Sequence, residues 1–300
     1  MKKLPVKVGG ISLDSPGILA SGILDENGYT MKRIFEEGAG AVVTKSIGLE
    51  ERNGYYPPVV AEGDGWMLNA MGLPNPGINE YGNEISIARR DGAIIIGSIF
   101  ANSPKDFLKL ALQMQDYGVE AIELNLSCPH VKGFGSEVGS DPVLVKKIIS
   151  ELKGSLKIPI WSKLSPNVTS INEIASAASD SDALVLINTV RGMAISVEAK
   201  QPVLTNVYGG ISGSSIKPIG LRLVYEIRKE MNIDILGVGG IENSRDALEY
   251  IMAGANAYEI GTALIKYGRN VFAQVEEGIR QYMKESGIKS LKELVGVAVR

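Results

Sequence analysis

The segments EEGAGAVVTK (residues 36–45), YGVEAIELN (117–125) and MAGANAYEIG (252–261) repeat one arrangement, a helix end closed at glycine followed by a short strand-forming run. Glycine accepts the left-handed backbone that stops a helix, and the small and apolar residues after it suit a buried strand. Comparable runs occur at 17–20, 41–44, 93–97, 121–126, 158–164, 183–188, 235–238 and 257–260, eight in all. Helical stretches lie between most of them. In SPKDFLKLALQMQDY (103–117), Ser103 is a capping residue and Pro104 suits the first turn. Phe107, Leu108, Ala111, Leu112 and Met114 recur near helical spacing and are expected to face the strands. Strand–helix alternation of this kind implies parallel strands with right-handed crossovers, and eight repeats imply an α/β fold closed into a (β/α)8 TIM barrel.

Outside the repeat, VKVGGIS (6–12) reads as a glycine-turned N-terminal hairpin able to plug the bottom of the barrel. Three stretches interrupt the alternation: 50–78, 129–141 and 190–218, all drawing on Gly, Pro, Ser and Asn. Each follows the C-terminal end of an expected strand, so they read as long loops or lids on the face where barrel active sites are built. No Gly/Ser linker or charge block divides the chain, and residues 1–300 are read as one domain.

Composition removes several function classes. With 45% hydrophobic and 22% charged residues the chain can bury a core. A net charge of -3 without a basic cluster argues against nucleic acid as a partner. The most apolar stretch, GAIIIGSIFA (92–101), is about half the length of a membrane-spanning helix, so no membrane segment is expected. MKKLPVKVGG lacks the continuous apolar core of a signal peptide, which points to the cytoplasm. One cysteine, Cys128, and one histidine, His130, exclude an internal disulfide and a thiolate or imidazole metal cage.

The chemistry-bearing residues gather at strand ends. In EAIELNLSCPH (120–130), Ile122, Leu124 and Leu126 fall on one face, and Glu123, Asn125 and Ser127 on the other, facing inward. Lys45, Lys163, Asn188 and Thr189 stand at the corresponding ends of three other strands, and this convergence points to a site. The seventh and eighth strands end in GVGGIEN (237–243) and YEIGTALI (258–265). Gly239, Gly240, Gly261 and Thr262 are candidates to cradle a phosphate there, the alternative being simple tight turns. KGFGSEVGS (132–140) has the wrong spacing for a dinucleotide loop and reads as a lid. A lone cysteine is commonly a small buried hydrophobe. Cys128, however, follows a barrel strand and opens the glycine-rich loop, a place for a reactive thiol able to take a carbon-bound proton.

Nine ordered segments then carry a resemblance: ASGILDENG (20–28), TKSIG (44–48), NAMGLPNPG (69–77), NLSCPH (125–130), KLSPNV (163–168), INTVRGMAI (187–195), GGISGSSIKPIGLR (209–222), GVGGIENSRDA (237–247) and EIGTALI (259–265). Over almost the whole chain they resemble the class 1 dihydroorotate dehydrogenases, with cysteine in place of serine in the catalytic loop. VKGFGSEVGSDP and GGISGSSIKPI look most like class 1B, the FMN-containing catalytic subunit. The sequence departs from the family at Ser98 and His130, where asparagine is common.

The resemblance implies oxidation of (S)-dihydroorotate to orotate in pyrimidine biosynthesis, with Cys128 removing the C5 proton and hydride passing from C6 to FMN N5. It implies substrate binding by Lys45, Asn69, Ala70, Met71, Gly72, Leu73, Asn125, Asn188 and Thr189. FMN is expected against Ser21, Lys45, Ser46, Ser98, Asn125, Lys163 and Ile187, with its phosphate near Gly213, Gly239, Gly240, Gly261 and Thr262. Lys163 would place positive charge where reduced flavin becomes anionic. FAD and a 2Fe-2S cluster are expected only on a partner subunit that passes electrons to NAD, giving a heterotetramer built on a homodimer of this chain. Direct reduction of fumarate, as in class 1A, is the alternative route. Another FMN-barrel dehydrogenase is the enzyme alternative, and a non-catalytic flavin-binding subunit would dispense with Lys45 and Cys128.

Overall fold

The computed structural model describes residues 3–126 and 138–300. Eight parallel strands, Gly17–Leu19, Ala41–Val43, Ile95–Ile99, Ala121–Asn125, Ile160–Leu164, Ala183–Leu186, Asp234–Val238 and Ala257–Ile260, pair in chain order, and the last returns to the first. The expected (β/α)8 barrel is therefore present. Alternation along the strands divides its apolar residues between two cores. Ile122, Leu124, Ile160, Leu164, Leu184 and Ile260 face the surrounding helices. Ile18, Val43, Ile96, Trp161, Val185 and Leu236 fill the lumen.

The N-terminal hairpin, Val6–Val8 with Ile11–Leu13, adds Val8 and Leu13 to the lumen core and closes it from below. Two polar contacts lock its turn: the Trp161 indole N–H donates to the Gly9 carbonyl at 2.9 Å, and the Gly9 N–H donates to Asp234 at 2.8 Å. Gly9 has φ +52°, and a Cβ there would stand 2.1 Å from Trp161 Nε1. Only glycine fits.

The helices start where polar caps allow: Asn27, Ser103, Asp141, Ser170 and Asn243 each accept a first-turn backbone N–H. In Pro104–Asp116 the buried face is Phe107, Leu110, Ala111 and Met114. Leu112, expected inward, is 37% exposed, and Leu108 is only partly buried. The stripe turns on i, i+3, i+4 and i+7 from Phe107, which leaves Leu108 and Leu112 at its edge.

Two of the three interrupting stretches are more ordered than loops. Residues 50–78 and 190–218 contribute a four-stranded antiparallel sheet in the order Val190–Gly192, Gly209–Ser212, Trp66–Asn69, Val60–Gly63, with its own small core of Leu68, Ala70 and Leu204. Val60–Gly63 and Trp66–Asn69 form a local hairpin, but the pairing of Trp66–Asn69 with Gly209–Ser212 joins segments far apart in sequence, which no local period announces. Of the third stretch, Gly139 sits in the turn Val138–Ser140, buried against the Leu126 carbonyl, which a Cβ would approach to 2.0 Å. No helix among the described residues is long and apolar enough to cross a membrane.

The loop after the first strand is pinned by Asp25, which is 1% exposed. Its carboxylate accepts from the Gly22 N–H, and its carbonyl accepts from the Tyr81 hydroxyl at 2.6 Å. The second carboxylate oxygen, Oδ1, is buried without a hydrogen-bond partner. Burial pushes the Asp25 pKa up to about 6, against the pull of the Gly22 N–H and Lys45.

Two outcomes follow from this packing. Gly9→Ala should cost about 2–4 kcal/mol, from overpacking against Trp161 and a left-handed backbone, read as a lowered urea midpoint. For Asp25 the folded pKa lies above the unfolded one, so the folded state holds the proton longer and stability falls as pH rises from about 4 to about 6. Asp25→Asn should lack that fall, gaining on the wild type by roughly 3 kcal/mol at most across the window. A pH-independent difference in unfolding free energy would contradict this reading.

Candidate active site

At the C-terminal end of the barrel, between the strand ends and the antiparallel sheet, lies a cavity of about 730 Å³. Its wall includes Ser21, Lys45, Ser46, Asn69, Met71, Gly72, Leu73, Asn125, Lys163, Ile187, Asn188, Thr189, Gly213, Gly239, Gly240, Gly261 and Thr262. Two residues expected at the site do not line it. Ala70 and Ser98 are both fully buried, and the Ser98 hydroxyl lies one hydrogen bond behind the wall, 2.8 Å from Ser46 Oγ. Cys128 and His130 lie outside the described residues.

A polar chain crosses one side of the cavity. The Asn125 amide donates to Ser46 Oγ at 2.9 Å, Ser21 Oγ stands 3.4 Å from the same oxygen, and the Asn188 amide donates to Asn125 Oδ1 at 3.5 Å. The Thr189 N–H donates to Asn188 Oδ1 at 2.7 Å. Asn125 is thereby fixed in orientation, its carbonyl and amide both engaged. Lys45, at the end of the second strand, pairs with the exposed Glu26 at 3.1 Å.

On the opposite wall the loop 69–77 is shaped by Asn75, whose amide donates to the Leu73 carbonyl at 2.9 Å while its oxygen accepts from the N–H groups of Gly48 and Gly77. This holds Leu73 at φ +57°, a left-handed conformation that a leucine adopts only under constraint. Asn69 is tied to the neighbouring strand through its amide, which donates to Gly210 O at 3.3 Å.

The floor is ionic. Lys163 Nζ lies 2.9 Å from Glu259 Oε2 and 3.5 Å from Glu123 Oε1, and the three residues are at most 6% exposed. Burial, reinforced by the Glu259 carboxylate, pushes the Glu123 pKa well above the usual carboxylate range despite Lys163. Burial also works against the Lys163 charge, but the two carboxyl groups outweigh it and raise its pKa.

The residues present suit the flavin mononucleotide that the resemblance implies. The volume falls within the ordinary range for cofactor pockets. At the seventh strand, Gly239 and Gly240 have φ +124° and +71°, and a Cβ on Gly240 would stand 2.7 Å from the Gly213 carbonyl. At Gly261 packing does not demand glycine: a Cβ would meet only Ala20 Cβ at 3.6 Å and Ile23 Cγ1 at 3.9 Å. Its absence leaves bare backbone on the cavity wall, where an anion can approach. The Tyr250 hydroxyl, donating to Gly239 O at 2.8 Å, supports this loop from behind.

Sequence reasoning missed Glu259, Glu26, Asp25 and Asn75 as parts of the site. The inward phase of Glu123 was legible in EAIELN, and the same phase in NAYEIG marks Glu259. Asn75 reads locally as an ordinary turn residue, its side chain bonding to Leu73 and Gly77 in its own loop; only its side-chain bond to Gly48, from another loop, ties it to the site.

The family model described as dihydroorotate dehydrogenase matches residues 3–283. The catalytic subunits of dihydroorotate dehydrogenase B (NAD(+)) from Thermoplasma volcanium and Thermoplasma acidophilum are 56% and 55% identical to this chain over 300 residues, covering all of both chains in each case. The corresponding subunit from Methanocaldococcus jannaschii is 46% identical over 301 aligned positions, covering 98% of each chain. With a family match across nearly its whole length and full-length relatives at this identity, the chain belongs to the dihydroorotate dehydrogenase family.

Proposed function

We propose that this chain is the catalytic subunit of an NAD-linked dihydroorotate dehydrogenase, oxidising (S)-dihydroorotate to orotate in this cavity with FMN as its cofactor. The observation that carries the reading is the convergence of Lys45, Asn69, Asn125, Asn188 and Thr189 on one cavity whose floor is Lys163 and whose far wall is glycine backbone. FMN bound there supplies the hydride acceptor. Ser21, Ser46, Lys163 and Ile187 would hold its ring, and Gly213, Gly239, Gly240, Gly261 and Thr262 its phosphate.

The substrate is an anion with ring amides. Lys45 meets its carboxylate, the kind of partner it already has in Glu26, and the loop of Asn69, Met71, Gly72 and Leu73 encloses the ring with Asn188 and Thr189. Asn125, fixed between Ser46 and Asn188, orients the ring. Cys128, three positions after Asn125 in the sequence, is assigned the C5 proton, as the resemblance implies. As a thiolate it takes that proton while C6 gives up hydride.

Electrons then leave through a separate subunit carrying FAD and a 2Fe-2S cluster, with NAD as final acceptor. The names of the relatives as NAD(+) catalytic subunits support this. So does the single cysteine, since an iron–sulfur cluster takes four such ligands. A homodimer of this chain carrying two accessory subunits is the assembly proposed.

Two variants test the assignments. Cys128→Ala should retain bound FMN yet slow flavin bleaching by dihydroorotate at least about 100-fold, the scale of a lost general base. Undiminished bleaching would remove Cys128 from the proton step. Lys45→Ala should weaken orotate binding roughly 10–100-fold, as expected for loss of a charged partner, measured by the orotate-induced change in the flavin spectrum. Unchanged affinity would show that the carboxylate lies elsewhere.

A further inference from the structure

Two carboxyl groups and one ammonium occupy the floor of the cavity, and they do not balance. Fully ionised, Glu123, Glu259 and Lys163 would carry a net negative charge in a lumen that is otherwise apolar below them. Hydrogen bonding does not relieve it. Lys163 Nζ bonds to Glu259 Oε2, whereas Glu123 Oε1 stands 3.5 Å away, and Glu123 Oε1, Glu123 Oε2 and Glu259 Oε1 are buried without hydrogen-bond partners. An ionised carboxylate left this way costs several kcal/mol, while a protonated one gains a donor and loses its charge.

A buried ion triad is also a poor way to stabilise a barrel layer. The layers beneath are filled by Ile18, Val43, Ile96 and Trp161, and apolar residues would fill this one equally well. The arrangement therefore points to the cavity above it.

We infer that Glu123 and Glu259 are positioning residues that share one proton, so that together they hold a single negative charge against Lys163 and fix its ammonium, in an electrically neutral triad, beneath the cofactor. The charges acting most strongly on Glu123 are those of Glu259 and Lys163, and burial favours its neutral form. The inference rests on the proposed flavin site only for its consequence: the net charge of the triad sets how readily the bound cofactor accepts electrons, because added positive charge beside it favours the reduced form.

Proton sharing makes a non-additive prediction. If either carboxyl group becomes an amide, the remaining one ionises and pairs with Lys163, so the triad stays neutral. Only when both are changed does Lys163 stand alone. In the FMN-loaded protein, Glu123→Gln and Glu259→Gln should each shift the flavin midpoint potential little, and the double variant should raise it clearly. Equal upward steps in the two single variants, summing in the double, would mean that both groups are ionised, which overturns the proposal.

Infrared spectroscopy at pH 8, where Asp25 is ionised, gives a second readout that needs no flavin. The wild type should show the carbonyl stretch of one protonated carboxyl group, lost in either single variant; its absence from the wild type would overturn the proposal even if the double variant failed to fold. Purification without any flavin would instead count against the proposed function, and the infrared comparison would still decide the triad.

Discussion

A parallel barrel of eight strands sends every second side chain into a closed lumen, and what that lumen holds governs everything above it. Below, it must be dry and full. Trp161 occupies it, and its indole N–H reaches out to the Gly9 carbonyl, so the hairpin plug and the lumen core form one unit. Above, the same alternation delivers Glu123, Asn125, Lys163 and Glu259 into the lumen, where the two carboxyl groups meet Lys163 and Asn125 bonds to Ser46 and Asn188. The site is the polar upper part of a core whose lower part is apolar.

That division explains how rigidity reaches the chemistry. Asn125 and Lys163 are register partners on adjacent strands, so their spacing is set by the sheet itself. The Ser98–Ser46–Asn125–Asn188 chain then fixes orientation across four strand ends. The antiparallel sheet supplies the facing wall, with Asn69 tied to Gly210 and Leu73 held in a left-handed conformation by Asn75. Elements from distant parts of the chain thus meet a preformed floor, which suits the planar cofactor and small anion proposed to bind there.

Much of this was legible in the sequence, because periodicity and turn chemistry are local. Glycine before three of the strands, the inward phase of EAIELN, and glycines after the seventh and eighth strands pointed to the barrel and to part of the cavity wall, while Ser21, Ser46, Ile187, Gly213 and the loop 69–73 came from the resemblance. What was not legible depends on meetings between distant segments. The pairing of Trp66–Asn69 with Gly209–Ser212 spans more than a hundred residues, so neither segment signals the other. Ser98, which the resemblance placed against the cofactor, lies one hydrogen bond behind Ser46, a depth set by packing between strands and not by local sequence. Glu259 was passed over because an inward carboxylate has no meaning until its lysine is found.

The central claim is that this cavity oxidises dihydroorotate and not merely some flavin substrate. Anaerobic titration of the purified FMN-loaded protein with dihydroorotate, dihydrouracil and lactate tests it most directly. The account predicts full bleaching of the flavin by dihydroorotate alone, with one orotate formed per flavin reduced. Bleaching by dihydrouracil or lactate, or a flavin that stays oxidised with dihydroorotate, would contradict it.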